Sequence, residues 1–568
     1  MNYDIVGYKI KEFLLKLKHH KKTGLKMRKQ RNVLRLLLGF TMSMSVLFIG
    51  CSKQEIVDEK EPVIADGRPM WEVYSDEEVT LDWYVNFSWY TTPWGENLVS
   101  KTITEETGVT INFITPLGNE EEKFNALISS DTLPDIITLG WWDNQVDEMI
   151  NKGMVYPLNE LADQYDTYFW EVADPQVVDW YTREDGNLYS YPNSSYLPSD
   201  YIENKNIASN QTFLVRKDIY EAIGKPDMTT PKGFKEAVEM AAKLYPEVNG
   251  YPLIPVGTHI FTNTGCNSFD QYLQNFLAIP FEKDGEFYDR YTDADYITWL
   301  KMFRELGAEG LLKEDIFIDQ RTQMEEKVAR GQYFCMLYQR TDMSAQQALL
   351  YANDPDSIYI AIDGPKNAAG DDHILPGAGI NGWTVTLISK NCEYPERAIA
   401  LFSYLMSEHG QKITYLGVEG KTYDMVDGKA VIKPEVKKLI NSNRSEYDRL
   451  YGADNTYWMF QDNVMQLAWK PKLEEPNSQL EEWTYPYSHY LGQYEIRFDS
   501  NTEAGNTDIN IKKLWSITLP KLLLASSEEE FDSILKEFVD KREKLGFNIV
   551  KEESTKQIKE TKKKLGIK

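Results

Sequence analysis

The sequence predicts an α/β protein with more than one lobe, and three observations carry that expectation. The chain has 568 residues, more than a single compact core accommodates. Between Val79 and Lys152, strand-like and helix-like segments alternate, as in a parallel sheet covered by helices. A second run of the same kind opens near Thr212. A composition of 42% hydrophobic and 26% charged residues is that of a globular chain, neither fibrous nor disordered.

The elements follow in order. Val79–Val85 is rich in β-formers and reads as a first strand. Residues 96–107 read as a helix stopped by Gly108, and Val109–Ile114 as a second strand. Residues 120–130 place Phe124, Leu127 and Ile128 on one helical face. The short apolar run 134–139 is a third strand. A helix over 144–152 follows, with Asp143 as its expected N-cap and Gly153 as its stop. In the second run Thr230 caps a helix with Pro231 at its first position, and Phe234, Val238, Ala241 and Tyr245 share its buried face. A helical stretch 295–307 ends at Gly307. Buried strands are expected at 332–337, 358–362 and 382–388, and a helix at 395–408. The Lys/Glu-rich tail 527–568 reads as helical.

The formal net charge is −26, and residues 1–50 hide a stronger bias. They hold 11 Lys/Arg and 2 Asp/Glu, which leaves 51 basic against 86 acidic groups, or −35, in the remainder. Such a surface repels polyanions, so no nucleic-acid partner is expected. Residues Arg28–Arg35 are basic, an apolar run follows from Leu36 to Gly50, and Cys51 comes next. The run is shorter than the ~20 apolar residues of a spanning helix and reads as a signal peptide over 1–50, with Met27 as an alternative start. Residues 52–75 are polar and read as a flexible tether. Cys266, Cys335 and Cys392 lack metal-type spacing and read as buried thiols, with a disulfide among them left open.

Several segments, in order from about residue 78 to 550, resemble the group 1 extracellular solute-binding proteins, the sugar-binding lipoproteins of bacterial ABC transporters. Leu133-Pro134-Asp135-Ile136-Ile137 with Gly153-Met154-Val155-Tyr156-Pro157-Leu158 resembles their first-lobe signature. Arg216-Lys217-Asp218 and Leu306–Leu311 resemble second-lobe segments. Pro395-Glu396-Arg397-Ala398, Ser407–Gln411 and Gly417-Val418-Glu419-Gly420 resemble the return to the first lobe. Val46–Cys51 resembles a lipoprotein signal, with Phe48 in place of the usual Leu, which implies lipidation of Cys51.

The resemblance implies a two-lobed periplasmic-binding-protein-like fold of type II, with crossing hinge strands and a ligand clasped between the lobes. The expected division is lobe 1 at 76–210, lobe 2 at 211–379, a return to lobe 1 at 380–430, and C-terminal helical segments over 431–568 packing on both. The implied protein is a monomer on the outer face of the cell membrane, held there only by its lipid. It hands an oligosaccharide to ABC permease subunits. Some relatives carry a Ca²⁺ loop, but the matching stretch Pro246–Tyr251 has too few oxygen ligands, so neither metal nor cofactor is expected.

A sugar receptor needs aromatic platforms and bidentate polar groups. In open α/β sheets such groups sit at the carboxyl ends of strands. Trp89, Tyr90 and Trp94 follow the first strand, and Trp141, Trp142, Asp143 and Asn144 follow the third. Tyr338 and Arg340 follow a second-lobe strand, Trp383 lies at the crossing back, Glu419 sits in a turn, and Trp458 comes later. With 14 Trp and 35 Tyr, most aromatic residues must be packing. No G-x-S-x-G, H-E-x-x-H or P-loop motif is present, so an enzyme is not expected. The alternatives are a peptide or other solute receptor of the same fold, a helical-repeat glycan-binding lipoprotein, and a glycosidase.

Overall fold

The computed structural model describes residues 68–567. The signal segment, Cys51 and most of the expected tether lie outside them. The main strands are β1 (Val79–Val85), β2 (Val109–Ile114), β3 (Ile136–Gly140), β4 (Tyr191–Pro192), β5 (Gln211–Arg216), β6 (Ile254–Gly257), β7 (Tyr333–Gln339), β8 (Tyr359–Ala361) and β9 (Thr384–Ile388). They form two sheets, ordered β2-β1-β3-β9-β4 and β8-β5-β7-β6.

In the first sheet β1 runs parallel to β2, with Val79 opposite Val109, and parallel to β3. Its side chains alternate between two cores. Leu81, Trp83 and Val85 join one with Ile103 and Phe402, while Tyr84 joins the other and stacks on Phe124. Both faces are covered, which is why β3 is buried throughout. The expected parallel sheet is only part of the pattern. β9 returns antiparallel to β3, with Thr384 opposite Gly140, and β4 pairs with β9 antiparallel. The second sheet is mixed as well, with β7 antiparallel to β5 and parallel to β6. Two such sheets exclude the almost all-helical chain that a helical-repeat protein requires.

The second lobe is packed by aromatic rings. Thr230 Oγ1 accepts from the Gly233 N–H and caps Pro231–Leu244, whose Phe234 lies 5.6 Å from Trp299 and 5.4 Å from Phe303. The late helices Glu503–Leu523 and Glu528–Leu545 add Trp515, Leu519 and Phe538 to the same core. The last helix, Phe547–Lys564, touches both lobes. Lys562 pairs with Glu282 at 2.6 Å, and Lys564 donates to the Trp180 carbonyl at 2.9 Å. Cys266, Cys335 and Cys392 are buried free thiols.

Two local expectations are corrected. The tether reading fails at Met70–Tyr74, a helix whose Met70 and Trp71 are buried, Trp71 against Tyr168 and Tyr404. Two apolar side chains one residue apart found a core that the polar composition around them had hidden. Asp143 does not cap Gln145–Asn151. The N-cap is Asn144, and Asp143 turns back to accept from the Gly140 N–H at 3.1 Å.

Where the chain crosses between the sheets, Glu495 is enclosed. Asn381 Nδ2 donates to its carboxylate at 2.8 Å, and Trp180 Nε1 in turn donates to Asn381 Oδ1 at 2.8 Å. Burial pushes the Glu495 carboxyl up to about 7, and the Asn381 bond only partly opposes it. Below about pH 7 the folded chain keeps a proton here that the unfolded chain sheds near pH 4.5, so this group favours folding at low pH. That contribution is lost as pH rises through about 7. Glu495→Gln should raise the melting temperature at about pH 8 and flatten its fall between about pH 4.5 and 7, as measured by thermal melts.

Candidate functional site

The first lobe ends its strands in a block of indole rings. After β1, Asn86 accepts from the Tyr84 hydroxyl at 3.0 Å and donates its N–H to Thr138 O at 2.9 Å, which fixes the chain leading to Phe87 and Trp89. Trp383, just before β9, donates its N–H to Asn193 O. Trp458 begins a 3₁₀ turn and accepts at its carbonyl from Asn193 Nδ2 at 3.0 Å. These distant segments bring their rings together. Trp89 stacks on Trp383 at 6.0 Å and 12°, Trp383 meets Trp458 at 4.5 Å, and Phe87 lies 5.4 Å from Trp383. Trp458 is buried and its indole N–H has no partner, whereas Trp89 is 45% exposed. Trp89 is therefore the open face of a rigid aromatic block.

A second ring stands beside the carboxyl end of β3. Trp142 is also half-exposed, edge-on to Trp141 at 6.1 Å. A Cβ on Gly140 would lie 2.5 Å from the Trp142 ring, so only glycine lets the indole lie against the strand. Gly140→Ala should displace Trp142, visible as a changed near-ultraviolet circular dichroism spectrum. Burial raises the neighbouring Asp143 carboxyl to about 6, against the Gly140 N–H and Arg497. Arg497 donates to the Asp143 carbonyl at 2.9 Å and pairs with Asp147 at 2.9 Å.

The second lobe presents polar groups at the ends of its own strands. After β6, His259 donates its N–H to Ser268 Oγ at 2.6 Å, and its ring lies 5.3 Å from Tyr338 at the end of β7. Burial, with Arg321 nearby, pushes the His259 imidazole down to about 4, so it is neutral at physiological pH. The Tyr338 hydroxyl is buried without a partner. Arg321, the first residue of helix Arg321–Ala329, pairs with Glu325 at 2.7 Å and Asp342 at 3.3 Å. Its guanidinium also lies 6.0 Å from the Trp89 ring centroid, so here the two lobes meet.

Among the residues singled out from the sequence, Trp89, Trp383 and Trp458 are brought into one block, with Trp141, Trp142 and Asp143 at the end of β3. Asn144 begins the following helix without a capping side-chain bond. Tyr90 is buried behind Trp89, edge-on to it at 6.2 Å. Trp94 donates its indole N–H to Thr104 at 2.9 Å and packs on Tyr457 at 4.8 Å. Arg340 donates to Ser209 O and pairs with Glu481 at 2.9 Å, which ties a crossing segment to helix Asn477–Thr484. Glu419 is exposed on a turn bridged to Tyr423. Phe87, His259, Arg321 and Asp342 were not anticipated.

A separate depression on the second lobe is lined by Asn249, Tyr251, Arg330 and Asp354. There Arg330 lies over the Tyr251 ring at 4.8 Å.

Two α/β lobes meeting over an aromatic platform and a set of hydrogen-bonding side chains define a receptor for a small solute. The model of the bacterial extracellular solute-binding protein family matches residues 88–412, more than half of the chain, and the chain belongs to that family. It is 33% identical over 100 residues to the fructooligosaccharide ABC transporter substrate-binding protein FusA of Streptococcus pneumoniae, 17% of this chain and 19% of that one. It is 22% identical over 324 residues to lipoprotein LipO of Bacillus subtilis, 55% of this chain and 61% of that one. The chain thus spans under two thirds of either curated relative. Among solved structures, FusA of S. pneumoniae in complex with kestose superposes with a TM-score of 0.66 at 16% identity, over 85% of this chain and 100% of that one. The alginate-binding protein AlgQ2 without calcium ion gives 0.62 at 18% identity, over 85% and 98%. The N-glycan transport solute-binding protein NgtS of S. pneumoniae gives 0.56 at 16%, over 86% and 99%. These likenesses show the two-lobed solute-binding fold. Among the described residues no helix is long and apolar enough to cross a membrane.

Proposed function

We propose that the chain is the extracellular receptor of an ABC importer and binds an oligosaccharide between its lobes. The observation that carries this reading is Trp89, an open indole face at the point where Arg321 of the other lobe approaches. A pyranose or furanose ring has an apolar C–H face that suits an indole, and hydroxyls that suit Tyr338, His259 and Asp342 around it. Binding draws the lobes together, and the closed form is the one a permease accepts. In this reading the ligand leaves unchanged. Lipidation at Cys51 keeps the receptor at the outer face of the membrane as a monomer. The names of FusA and NgtS, with sugars as their cargo, support a carbohydrate ligand.

Thermal melts of the mature chain with glycan and peptide sets test the proposal, because a ligand that binds only the folded state raises the midpoint. Stabilisation by glycans, without glycan cleavage, is the expected result. Stabilisation by peptides alone would replace it with a peptide receptor of the same fold.

A further inference from the structure

We infer that the ligand is an uncharged glycan, and that the carboxylates paired with Arg321 are what exclude acidic ones. The inference rests on the carbohydrate reading above and concerns the same cleft. Recognition of a uronate or other anionic sugar needs a guanidinium fork or an ammonium group with donors to spare. The cation that faces Trp89 is Arg321, and two carboxylates already outnumber its charge. Arg321 spends Nε on Glu325 and Nη2 on Asp342. Arg340 spends Nε on the Ser209 carbonyl and Nη1 on Glu481. Arg497, on the Trp142 side, spends Nη2 on Asp147 and the Asp143 carbonyl and keeps a buried Nε without a partner.

A carboxylate entering beside Arg321 would lie against Glu325 and Asp342, like charge against like. Asp342 is only 18% exposed and Glu325 only 27%, so water screens that repulsion poorly. Beside Trp89 and Arg321 the polar atoms that lack partners include the buried Tyr338 hydroxyl and the buried Trp458 indole N–H, both neutral. Sugar hydroxyls satisfy both. The same hydroxyls can donate to Glu325 and Asp342, which an anion cannot do. The excess of 86 acidic over 51 basic groups beyond residue 50 disfavours anions at longer range as well.

The test is isothermal titration calorimetry of the mature chain with matched neutral and uronic-acid oligosaccharides, repeated with the double variant Glu325→Gln, Asp342→Asn. The wild type should take a neutral member at least about thirtyfold more tightly than any uronate. The double variant frees the Arg321 fork and should narrow that gap about tenfold or more, with uronate binding that weakens as salt is raised. Uronate binding that equals or exceeds neutral binding in the wild type would overturn the inference and leave the carbohydrate reading standing. A gap unchanged in a folded double variant would also overturn it. Binding of neither set, with peptides stabilising the chain, would overturn both.

Discussion

Trp89→Ala is expected to weaken ligand binding by about 2 kcal/mol, close to a thirtyfold rise in Kd. The indole is the exposed end of the block formed with Phe87, Trp383 and Trp458, so it is held in place before any ligand arrives. A platform that is already rigid loses little entropy when a sugar ring settles on it, and most of its contact area appears as affinity. Because Trp89 is 45% exposed in the free chain, its removal opens little cavity and should move the ligand-free melting temperature only slightly. Trp170 provides the control. It is 37% exposed and donates its indole N–H to Asp163, but it has no part in this block. Trp170→Ala should leave calorimetric affinity unchanged. Equal losses from the two substitutions would show that the Trp89 effect is general destabilisation.

The largest loss of stability is expected at Arg397, away from the cleft. This arginine is 2% exposed in helix Pro395–Met406. Its Nη2 donates to the carbonyls of Glu77 and Thr107 at 2.8 Å and of Tyr74 at 3.2 Å, and its guanidinium lies over the Tyr74 ring at 5.0 Å. One side chain thus ties the Met70–Tyr74 helix, the approach to β1 and the end of helix Leu98–Thr107 to a single point. Arg397→Ala leaves those carbonyls buried without a donor and should cost roughly 3–4 kcal/mol. In a thermal melt of a chain this long that is a fall of about 3–4 °C. Arg397→Lys keeps the charge but not the fork and should fall between the two. Affinity measured on the folded fraction should stay at the wild-type value, since Arg397 touches neither wall.

The sequence made the scaffold legible and the site half so. β1, β2 and the Thr230 cap follow from local pattern because each satisfies itself within a few residues. Trp89 and Trp142 were marked by position, just past the ends of strands. Trp94 and Tyr90 have the same composition and nearly the same position, yet their rings face inward, and only packing against Phe113, Tyr457 and Trp458 decides that. The polar wall was hidden for other reasons. β6, which places His259, contains Pro255 and so does not read as a strand. Proline is tolerated there because β6 lies at the edge of its sheet. Helix Arg321–Ala329 buries only Met324 and Val328, too weak an apolar stripe to announce itself. Arg321 gains its meaning from Trp89, 232 positions earlier, and the docking of one lobe on the other is not a local property.

A crystal structure of the mature chain grown with a neutral oligosaccharide that stabilises it tests the central claim most directly. A sugar ring lying on the Trp89 indole, with hydroxyls held by second-lobe groups near Tyr338 and Asp342, is the predicted result. Glycan seated instead in the depression around Asn249 and Arg330, with the face of Trp89 bare, would contradict it.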